Sequence, residues 1–597
     1  MEQLHHNGVL VPLKYEGSDL SITVKGVEHK LNDLQEEMAM AWAKKIGTPY
    51  VEDTVFQNNF HADLSEALGI VVKYGDVNFS QLHNIVIQER EKRAQMTRED
   101  KKALAAQRKE VREANKEKYG YAVFDGERSE IGNYTVEPSS IFMGRGEHPM
   151  RGKWKEGPRH EDITLNLSPD APIPEGNWGK IIWDPNSIWI ARWKDKLSGK
   201  MKYVWPSDSS PIKQKKEIAK FNKAVELRKY ITEIQQHIKD NLSHENVKRR
   251  KTATVCYLID ELKFRVGDEK DEEEADTVGA STLRPEHICF NEDDTVTFDF
   301  LGKDSVRHLL TAKLDDEVIR NLKYFAEANH NGTLFDEVNS SVVSEFLDEI
   351  MEGVTAKVFR TCHATEVVEE KLKTLKIKKD APEYRKKHVA TLANLEAAIT
   401  CNHKRTIPKT WEQSLQRQKD KLLARKEKAK ENMKNYRQRI NDAENKHKER
   451  LKKYKTKLND DQQKLQEYRQ DLEERTKQGK ATKGVENRIS SKRRTIKNAR
   501  ERIKKTKAKH KERIAKLKER METRRLKDNA MIEKQSLQIE MKELTRDYNL
   551  NTSLKSYIDP RIYYDWSSKV DYDWRKYYSK SLQKKYSWID PEPAQEV

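Results

Sequence analysis

The clearest periodic pattern in the chain is a heptad spacing of apolar residues late in the sequence. It comprises two series, which are Leu451, Leu458, Leu465 and Leu472, then Ile489, Ile496, Ile503 and Leu517. A stretch at 478–484 with two glycines separates them. Such heptads indicate helices that pair along one face. The arms 411–477 and 485–550 have nearly equal length, which predicts an antiparallel coiled-coil hairpin. Each arm would span roughly 100 Å.

Before the hairpin the pattern shifts between strand-like and helix-like spacing, which predicts a mixed body. Its predicted elements are strands at 8–13 and 20–27, a helix at 31–46, charged helical sequence at 80–118, a β-hairpin at 188–193 and 201–205, a helix at 213–247, and helices alternating with short strands such as 295–300 over 248–405. Within the charged stretch, Thr97 is expected to cap a helix start.

The segment after the hairpin contains the sequence Ser553-Leu-Lys-Ser-Tyr557-Ile-Asp-Pro-Arg561. A module of about fifty residues is too small to bury a useful core alone. We therefore expect it to dock onto the body that precedes the hairpin. The equal arms would return the chain close to where it left that body.

The positive charge of the chain is concentrated in the hairpin. The whole sequence carries a net charge of +18 over 597 residues, a length that suggests several domains. Residues 412–545 hold 44 basic and 22 acidic residues, so the remainder is close to neutral at −4. Within the arm, 488–527 holds 19 basic and four acidic residues. A solvent-exposed helix needs charged residues, but this does not explain why most of them are positive. The positive excess favours a polyanion such as nucleic acid as the partner.

Several classes of protein are poorly supported. The cysteines Cys256, Cys289, Cys362 and Cys401 form no CxxC pair, which argues against a zinc site or a disulfide framework. No apolar run approaches the length of a membrane span, so we expect an intracellular protein without a membrane partner. The nucleotide-binding P-loop, the dinucleotide fingerprint and HExxH are not found. We therefore expect no metal, nucleotide or other cofactor.

Five short segments in the second lobe and the tail contain arginine, lysine, histidine or tyrosine side chains that are candidates for a shared site. Each is weak alone, because a solitary arginine, lysine or histidine usually has a structural or solvated role. The segments are Phe264-Arg265-Val-Gly-Asp-Glu-Lys270, Phe298-Asp-Phe-Leu-Gly-Lys303-Asp-Ser305, Ala356-Lys-Val-Phe-Arg360-Thr361, Cys401-Asn-His403-Lys-Arg405 and the one around Tyr557.

In this order the segments resemble the eukaryotic-type DNA topoisomerase IB family, and the resemblance covers nearly the whole chain. Further matching segments are Phe142-Met-Gly-Arg-Gly-Glu-His-Pro149, Glu161-Asp-Ile-Thr-Leu-Asn166, Ala275-Asp-Thr-Val-Gly279 and Leu283-Arg-Pro-Glu-His-Ile288. The resemblance implies a multidomain α+β fold, mostly α, built as a two-lobed DNA clamp. The implied domains are a mixed α/β cap at 1–211, a connector and mainly helical catalytic lobe at 212–405, the basic coiled-coil linker hairpin at 406–548 and a small helical C-terminal module at 549–597.

The resemblance also implies the chemistry. One strand of supercoiled duplex DNA would be cleaved and resealed without ATP or metal, and rotation in between would relax supercoils of either sign. Tyr557 is the implied nucleophile, forming a 3′-phosphotyrosyl bond. Arg265 and Arg360 would clamp the phosphate, with His403 as a third donor. Lys303 would be the general acid for the departing 5′ oxygen. We expect a monomer.

The matching motifs also suggest DNA-contact residues. They are Arg145, His148, Lys153, Lys270, Thr277, Asp304 and Ser556. Surface solvation is the alternative for these positions. Ser556 stands where the family typically has asparagine, which removes one amide donor. We therefore expect weak sensitivity to camptothecin.

We expect the sequence to begin close to the folded core, without the lysine-rich N-terminal extension that animal and fungal members often carry. This favours an archaeal member located in the cytoplasm or nucleoid. A eukaryotic member would be nuclear.

Two other functions remain open from the sequence. A tyrosine recombinase or integrase shares the Arg, Lys, His, Arg, Tyr chemistry, but it would require oligomeric assembly and strand exchange. A non-enzymatic coiled-coil DNA-binding protein would account for the charge but not for the five segments. The upstream matches and the long linker favour the topoisomerase.

Overall fold

The computed structural model describes residues 1–268, 277–329 and 332–590. These residues form two compact units. The larger takes its described residues from 1–381, 389–406 and 548–590, and the smaller consists of 382–388 and 407–547. The described chain is mostly helical with several small sheets, which agrees with the predicted α+β class.

Residues 1–206, all of them described, form small sheets and four helices at the start of the larger unit. The strands are β1 (Leu4–His6), β2 (Ser21–Val24), β3 (Val27–Lys30), β4 (Val77–Asn78), β5 (Tyr121–Phe124), β6 (Glu127–Glu130), β7 (Ser140–Ile141), β8 (Trp154–Lys155), β9 (Ile163–Asn166), β10 (Lys180–Ile182), β11 (Ala191–Lys194) and β12 (Met201–Val204). The helices are α1 (Asp33–Ala43), α2 (Thr54–Leu68), α3 (Ser80–Gln95) and α4 (Arg98–Tyr119).

These strands make sheets in the orders β1-β5-β6, β3-β2-β4, β10-β9-β11-β12 and β7-β8. The predicted hairpin is confirmed as β11 and β12, which are antiparallel with Ala191 opposite Val204. Thr97 caps α4 as predicted, because its hydroxyl accepts the backbone N–H of Asp100 at 3.1 Å. The predicted strand at 8–13 is wrong: within the described ranges, Leu10 forms an isolated bridge with Thr135, and the segment belongs to no strand ladder.

The following part of the larger unit begins with two helices and continues with one sheet. Its elements are α5 (Pro211–Asn241), α6 (Val247–Glu261), β13 (Ile288–Phe290), β14 (Thr295–Gly302), β15 (Val306–Lys313), α7 (Asp316–Ala328), α8 (Ser340–Asp348), α9 (Ala356–Thr374) and α10 (Glu383–Thr400), whose first residues belong to the smaller unit. The predicted helix at 213–247 is too long at its C-terminal end. Asn246 starts α6 instead, because its side chain accepts the backbone N–H of Arg249 at 3.1 Å.

The smaller unit is dominated by two long helices, α11 (Trp411–Lys477) and α12 (Lys483–Leu544). They lie side by side in opposite directions. Gln535 Nε2 donates to the carbonyl of Gln418 at 3.0 Å, whereas further along α11 Asp461 receives Lys492 at 3.0 Å. The bounds of α11 match the first predicted arm, whereas α12 begins two residues before the second predicted arm and ends six residues before its predicted end.

The chain then returns to the larger unit and forms α13 (Leu550–Ser556), α14 (Pro560–Lys569) and α15 (Lys580–Lys585). These helices share one apolar core with α5, α9 and α10. Its members include Phe221, Val368, Ala390 and, from the C-terminal module, Ile558 and Tyr563. The predicted docking onto the preceding body is therefore confirmed. Across the described ranges, no helix is both long and apolar enough to cross a bilayer.

Candidate active site

Tyr557 directly follows α13 and is held by its backbone. Its N–H donates to the carbonyl of Ser553 at 3.0 Å, one helical turn back. Its carbonyl accepts the hydroxyl of Thr365, on α9, at 3.3 Å. The residue is 5% exposed, and the peptides before and after it accept hydrogen bonds from Lys220 and Thr365. The orientation of the phenol is therefore set largely by tertiary contacts.

Arg265 reaches this phenol from the loop after α6. Phe264 anchors the loop by packing edge-on against Phe298 and Phe300, with ring centres 5.4 and 5.2 Å away. Successive side chains in an extended segment point to opposite sides. Arg265 thus faces away from the core, and its Nη1 donates to the Tyr557 hydroxyl oxygen at 3.1 Å.

Arg360 lies in the first turns of α9 and is 4% exposed. Its Nη1 donates to the carbonyl of Lys263 at 2.5 Å and its Nη2 to the carbonyl of Cys401 at 2.6 Å. The guanidinium lies 5.2 Å from the centre of the Tyr557 ring. Burial lowers the pKa of Arg360, but arginine remains protonated in proteins. A fixed positive charge therefore lies beside the phenol.

His403 follows α10 and stacks on Tyr557, with ring centres 5.0 Å apart. Its Nδ1 is 2.7 Å from the hydroxyl of Ser553, and its Nε2 is 3.3 Å from Arg360 Nη2. Burial, with Arg360 and Arg265 nearby, lowers the pKa of His403 to about 2. The ring is therefore neutral near pH 7. Because arginine can only donate, Nε2 accepts and Nδ1 carries the proton toward Ser553.

Lys303 stands apart from these four side chains. It is exposed in the turn between β14 and β15, and within the described ranges it makes no hydrogen bond or ion pair with them. The turn nevertheless lies near the site. His308 packs closely against Gly302, the residue before Lys303: a β-carbon at that position would lie 2.4 Å from His308 Nε2. His308 also contacts Asn402, the neighbour of His403.

Three of the expected DNA-contact residues share the loop between β7 and β8. Arg145 is exposed, and its carbonyl accepts the hydroxyl of Ser305 at 3.5 Å, which joins this loop to the Lys303 turn. His148 packs edge-on against Phe142, with ring centres 4.9 Å apart. Lys153 pairs through its backbone carbonyl with the N–H of Phe142.

The remaining expected DNA contacts are scattered. Ser556 ends α13, and its carbonyl accepts Lys220 Nζ at 3.0 Å. Thr277 is half-buried, and Asp304 is the middle residue of the Lys303 turn. Lys270 lies outside the described residues.

Several side chains around the site were not predicted as parts of it. Ser553 contacts His403, Thr365 holds the Tyr557 carbonyl, and Lys220 holds the carbonyl of Ser556. Ser553 lies in the tyrosine segment, four residues before the nucleophile, so helical spacing offered a signal for it. Thr365 and Lys220 carried no such signal, since only the tertiary fold brings them near. Among the described residues, no group of three or more His, Cys, Asp or Glu side chains could hold a metal ion.

Three family models match this chain in order. Residues 1–206 match the DNA binding fragment of eukaryotic DNA topoisomerase I, and 209–437 match its catalytic core. Residues 529–594 match the C-terminal topoisomerase domain. The described part of the site draws Arg265, Arg360 and His403 from the catalytic core match and Tyr557 from the C-terminal match.

Curated relatives align over almost the whole chain. DNA topoisomerase 1 beta of Arabidopsis thaliana is 32% identical over 602 residues, which cover 99% of this chain and 59% of that protein. DNA topoisomerase 1 of Candida albicans is 33% identical, with 98% of this chain and 78% of that protein covered. The Homo sapiens protein of that name is 29% identical, with 98% and 70% covered. The chain thus spans about three fifths of the Arabidopsis relative's length. It belongs to the eukaryotic DNA topoisomerase I family.

Proposed function

We propose that this protein is a type IB DNA topoisomerase, an isomerase that relaxes supercoiled duplex DNA by transient cleavage of one strand. The observation that carries the proposal is the contact of Arg265 Nη1 with the Tyr557 hydroxyl, 3.1 Å long, beside Arg360 and His403. These groups come from four distant places in the sequence. A solvated tail tyrosine would have no reason to meet two arginines and a histidine.

In the proposed cleavage step, the Tyr557 hydroxyl gives its proton to water, and its oxygen attacks the phosphorus of a DNA phosphodiester. The bond from phosphorus to the 5′ oxygen breaks, and a 3′-phosphotyrosyl bond forms. Arg265 stabilises the phenolate, because a donor from a cation favours the charged form of the group that accepts it. Religation is the reverse reaction, and since one phosphodiester replaces another, it needs no ATP.

The departing 5′ oxygen needs a proton, which we assign to Lys303. A lysine ammonium can release a proton, whereas an arginine guanidinium remains protonated. The exposed turn that carries Lys303 gives this side chain room to reach DNA. The Ser305 contact with the carbonyl of Arg145 makes the β7–β8 loop a neighbour of the same turn.

His403 is proposed as the third donor to the phosphate. In the present arrangement its Nε2 accepts from Arg360, so it cannot donate from that atom. A phosphate between the two arginines would take over the arginine donors and would favour a proton on Nε2. Ser553 can serve either tautomer, because a hydroxyl both donates and accepts.

We infer that the DNA grip follows the domain division expected from the sequence, with a cap at 1–211 and a catalytic lobe at 212–405. The two matched regions that meet between residues 206 and 209 support this boundary. We assign phosphate contacts to Arg145, His148, Lys153, Lys270 and Thr277. Affinity should then fall steeply with salt. We propose a monomer that acts on DNA without a nucleotide cofactor.

We further propose a nuclear location, since the relatives named above are eukaryotic. The basic hairpin at 406–548 is proposed to act on rotating DNA through its charge. Each of the three matched family models describes a topoisomerase region, which favours this function over a recombinase or a non-enzymatic scaffold.

The direct experiment is relaxation of a supercoiled plasmid by the purified full chain, in a chelator and without nucleotide. We expect relaxation of both supercoil signs, and a protein–DNA adduct when denaturant stops the reaction. The Tyr557→Phe variant should bind DNA with wild-type affinity and give neither relaxation nor adduct.

Three results would contradict the proposal. One is a wild-type chain that binds DNA without relaxing it. Another is strand exchange between two sites in place of relaxation. The third is cleavage retained by Tyr557→Phe.

A further inference from the structure

We propose that Lys220 and Lys585 are positioning residues for the nucleophile: their ammonium groups hold the carbonyl end of α13, the helix that Tyr557 follows. The inference rests on the proposed function, because it concerns the cleavage step. Both lysines act on the backbone of α13, through the carbonyls of Ser556 and Lys555.

The backbone at the end of α13 is fully paired. The last carbonyls of a helix have no partner within it and must find one elsewhere. Here the carbonyl of Ser556 accepts Lys220 Nζ at 3.0 Å, and that of Lys555 accepts Lys585 Nζ at 2.6 Å. The carbonyl of Leu554 accepts the Tyr586 hydroxyl at 2.8 Å. Two of these three contacts involve a cation.

The two ammonium groups are themselves held in place. Lys220 comes from α5 and Lys585 from α15, and both contact one carboxylate, Glu217 on α5, at 2.5 and 3.2 Å. Their side chains are only 13% and 9% exposed. Long lysine side chains lose much conformational entropy when buried. A lysine that only adds charge to the surface would keep its side chain free and would not lose this entropy. The burial of both side chains therefore indicates that they hold the backbone in position.

These contacts bear on the nucleophile through its backbone. Cations are favourable at the C-terminal end of a helix, where the macrodipole is negative. Lys220 fixes the peptide before Tyr557, and Thr365 fixes the peptide after it. Displacement of a reacting group by about 1 Å can slow a reaction by about 100-fold. Loss of the Lys220 contact should therefore slow cleavage while leaving the DNA-contact side chains in place.

The environment of Lys220 gives the contact a pH dependence. Burial lowers the pKa of Lys220 to about 8. The charged groups that face it are Glu217 on its own helix, Lys585 on α15 and Lys357 on α9. Glu217 favours the ammonium form, and the two lysines oppose it. As pH rises past about 8, Lys220 loses its charge and the contact with the Ser556 carbonyl weakens.

The experiment measures single-turnover cleavage of a duplex whose short cleaved fragment dissociates, so that religation is prevented. Lys220→Met should cleave about tenfold more slowly, the size expected for one lost charge-assisted hydrogen bond. Its affinity for an intact duplex, measured in a Tyr557→Phe background, should stay within about twofold of the matched parent. Lys220→Arg should restore most of the rate.

Lys223→Met is the matched control. Lys223 lies on the same helix and also donates to a carbonyl, that of Glu352, at 2.6 Å. Its loss removes an equivalent contact away from Tyr557, so its cleavage rate should match wild type.

A pH comparison provides a second readout. Arginine keeps its charge, so the ratio of the Lys220→Arg rate to the wild-type rate should rise between about pH 7 and about pH 9. Other titrating groups are common to both proteins and cancel in the ratio.

The proposal is overturned if Lys220→Met cleaves at the wild-type rate, or if it loses rate and DNA affinity together. If Lys220→Met does not fold, a flat ratio of Lys220→Arg to wild type across that pH range overturns it instead. Failure of the proposed function looks different, because the wild-type chain itself would then form no adduct.

Discussion

At the scale of single residues, the guanidinium of Arg360 is buried with one of its donors unpaired among the described residues. Its Nη atoms donate to two backbone carbonyls, and its buried Nε has no partner among the described residues. An unsatisfied buried donor costs about 1–3 kcal/mol. A cost of that kind is tolerated where function uses the group. A DNA phosphate oxygen could supply the acceptor that Nε lacks, which supports the proposed role of Arg360.

The general-acid role of Lys303 predicts a specific chemical rescue. Lys303→Ala should slow cleavage of ordinary DNA by about 100-fold or more, because general acid catalysis contributes about 10²–10⁴-fold. A substrate with sulfur at the bridging 5′ position has a leaving group that needs no proton. Its cleavage by Lys303→Ala should approach the wild-type rate.

The control for this rescue is Tyr557→Phe, which no leaving group should restore. If the sulfur substrate is cleaved as slowly as ordinary DNA by Lys303→Ala, the lysine is not the acid.

The sequence predicted some of the site residues and missed others. Arg265, Arg360, His403 and Tyr557 were predicted from ordered segments, and the structure brings them together. Lys303 was predicted in the same way and lies apart in its turn. Lys220 and Thr365 were not predicted, because lysine and threonine within helices carry no spacing that distinguishes them from surface or core residues. Their roles as site residues stay predictions until they are tested.

At the scale of elements, the sequence predicted helices correctly where it carried a heptad spacing or a helix-capping residue. The heptads placed α11 at Trp411–Lys477, and the capping pattern placed the start of α4 at Thr97. Two boundaries were wrong for different reasons. Residues 8–13 have a strand-like composition, but among the described residues they form an isolated bridge and no ladder, which depends on partners distant in sequence. The end of α5 was a missed local signal, because Asn246 caps the next helix through the N–H of Arg249.

The basic hairpin yields a prediction about rotation. Neutralising Arg493, Arg494, Lys504 and Lys505 to glutamine should speed relaxation per cleavage event, because fewer cations would attract the rotating phosphates. All four are exposed. Lys492 is left unchanged, because it pairs with Asp461 at 3.0 Å and its loss would leave a largely buried carboxylate.

The measurement is the number of supercoils removed per cleavage event, followed on single plasmid molecules at low and high salt. The variant should differ from wild type at low salt and converge with it at high salt. Equal rotation at every salt concentration would exclude an electrostatic role for the hairpin.

At the scale of the whole molecule, the net positive charge and the candidate active site lie in different parts of the chain. The basic excess belongs to residues 412–545, whereas the described site is built in the larger unit. The larger unit also buries several histidines. Burial lowers the pKa of His6 and His308 to about 4 and that of His403 to about 2. In the unfolded chain each should titrate near about 6.5.

These histidines predict acid instability of the larger unit. Below about pH 6.5 the unfolded chain binds protons that the folded chain does not, so the free energy of unfolding should fall as pH drops toward about 4. Each histidine contributes up to about 1.4 kcal/mol per pH unit in that window. Denaturant unfolding of the full chain between about pH 7 and about pH 5 measures the slope.

His6→Gln provides the comparison, because His6 lies far along the chain from the site residues and accounts for one of the three titrations. Its slope should be shallower than that of the wild type. Stability that is constant over this pH range would show that the folded and unfolded chains bind protons equally at these histidines, which would contradict the prediction.

The central claim is that Tyr557 is the nucleophile and that it ends on the 3′ side of the break. The most direct test is mass spectrometry of the peptide that remains on DNA after denaturant trapping and proteolysis. The account predicts a single modified peptide containing Tyr557, joined through phosphate to the 3′ end of the cleaved strand. A DNA-linked peptide lacking Tyr557, or a link to the 5′ end, would contradict it.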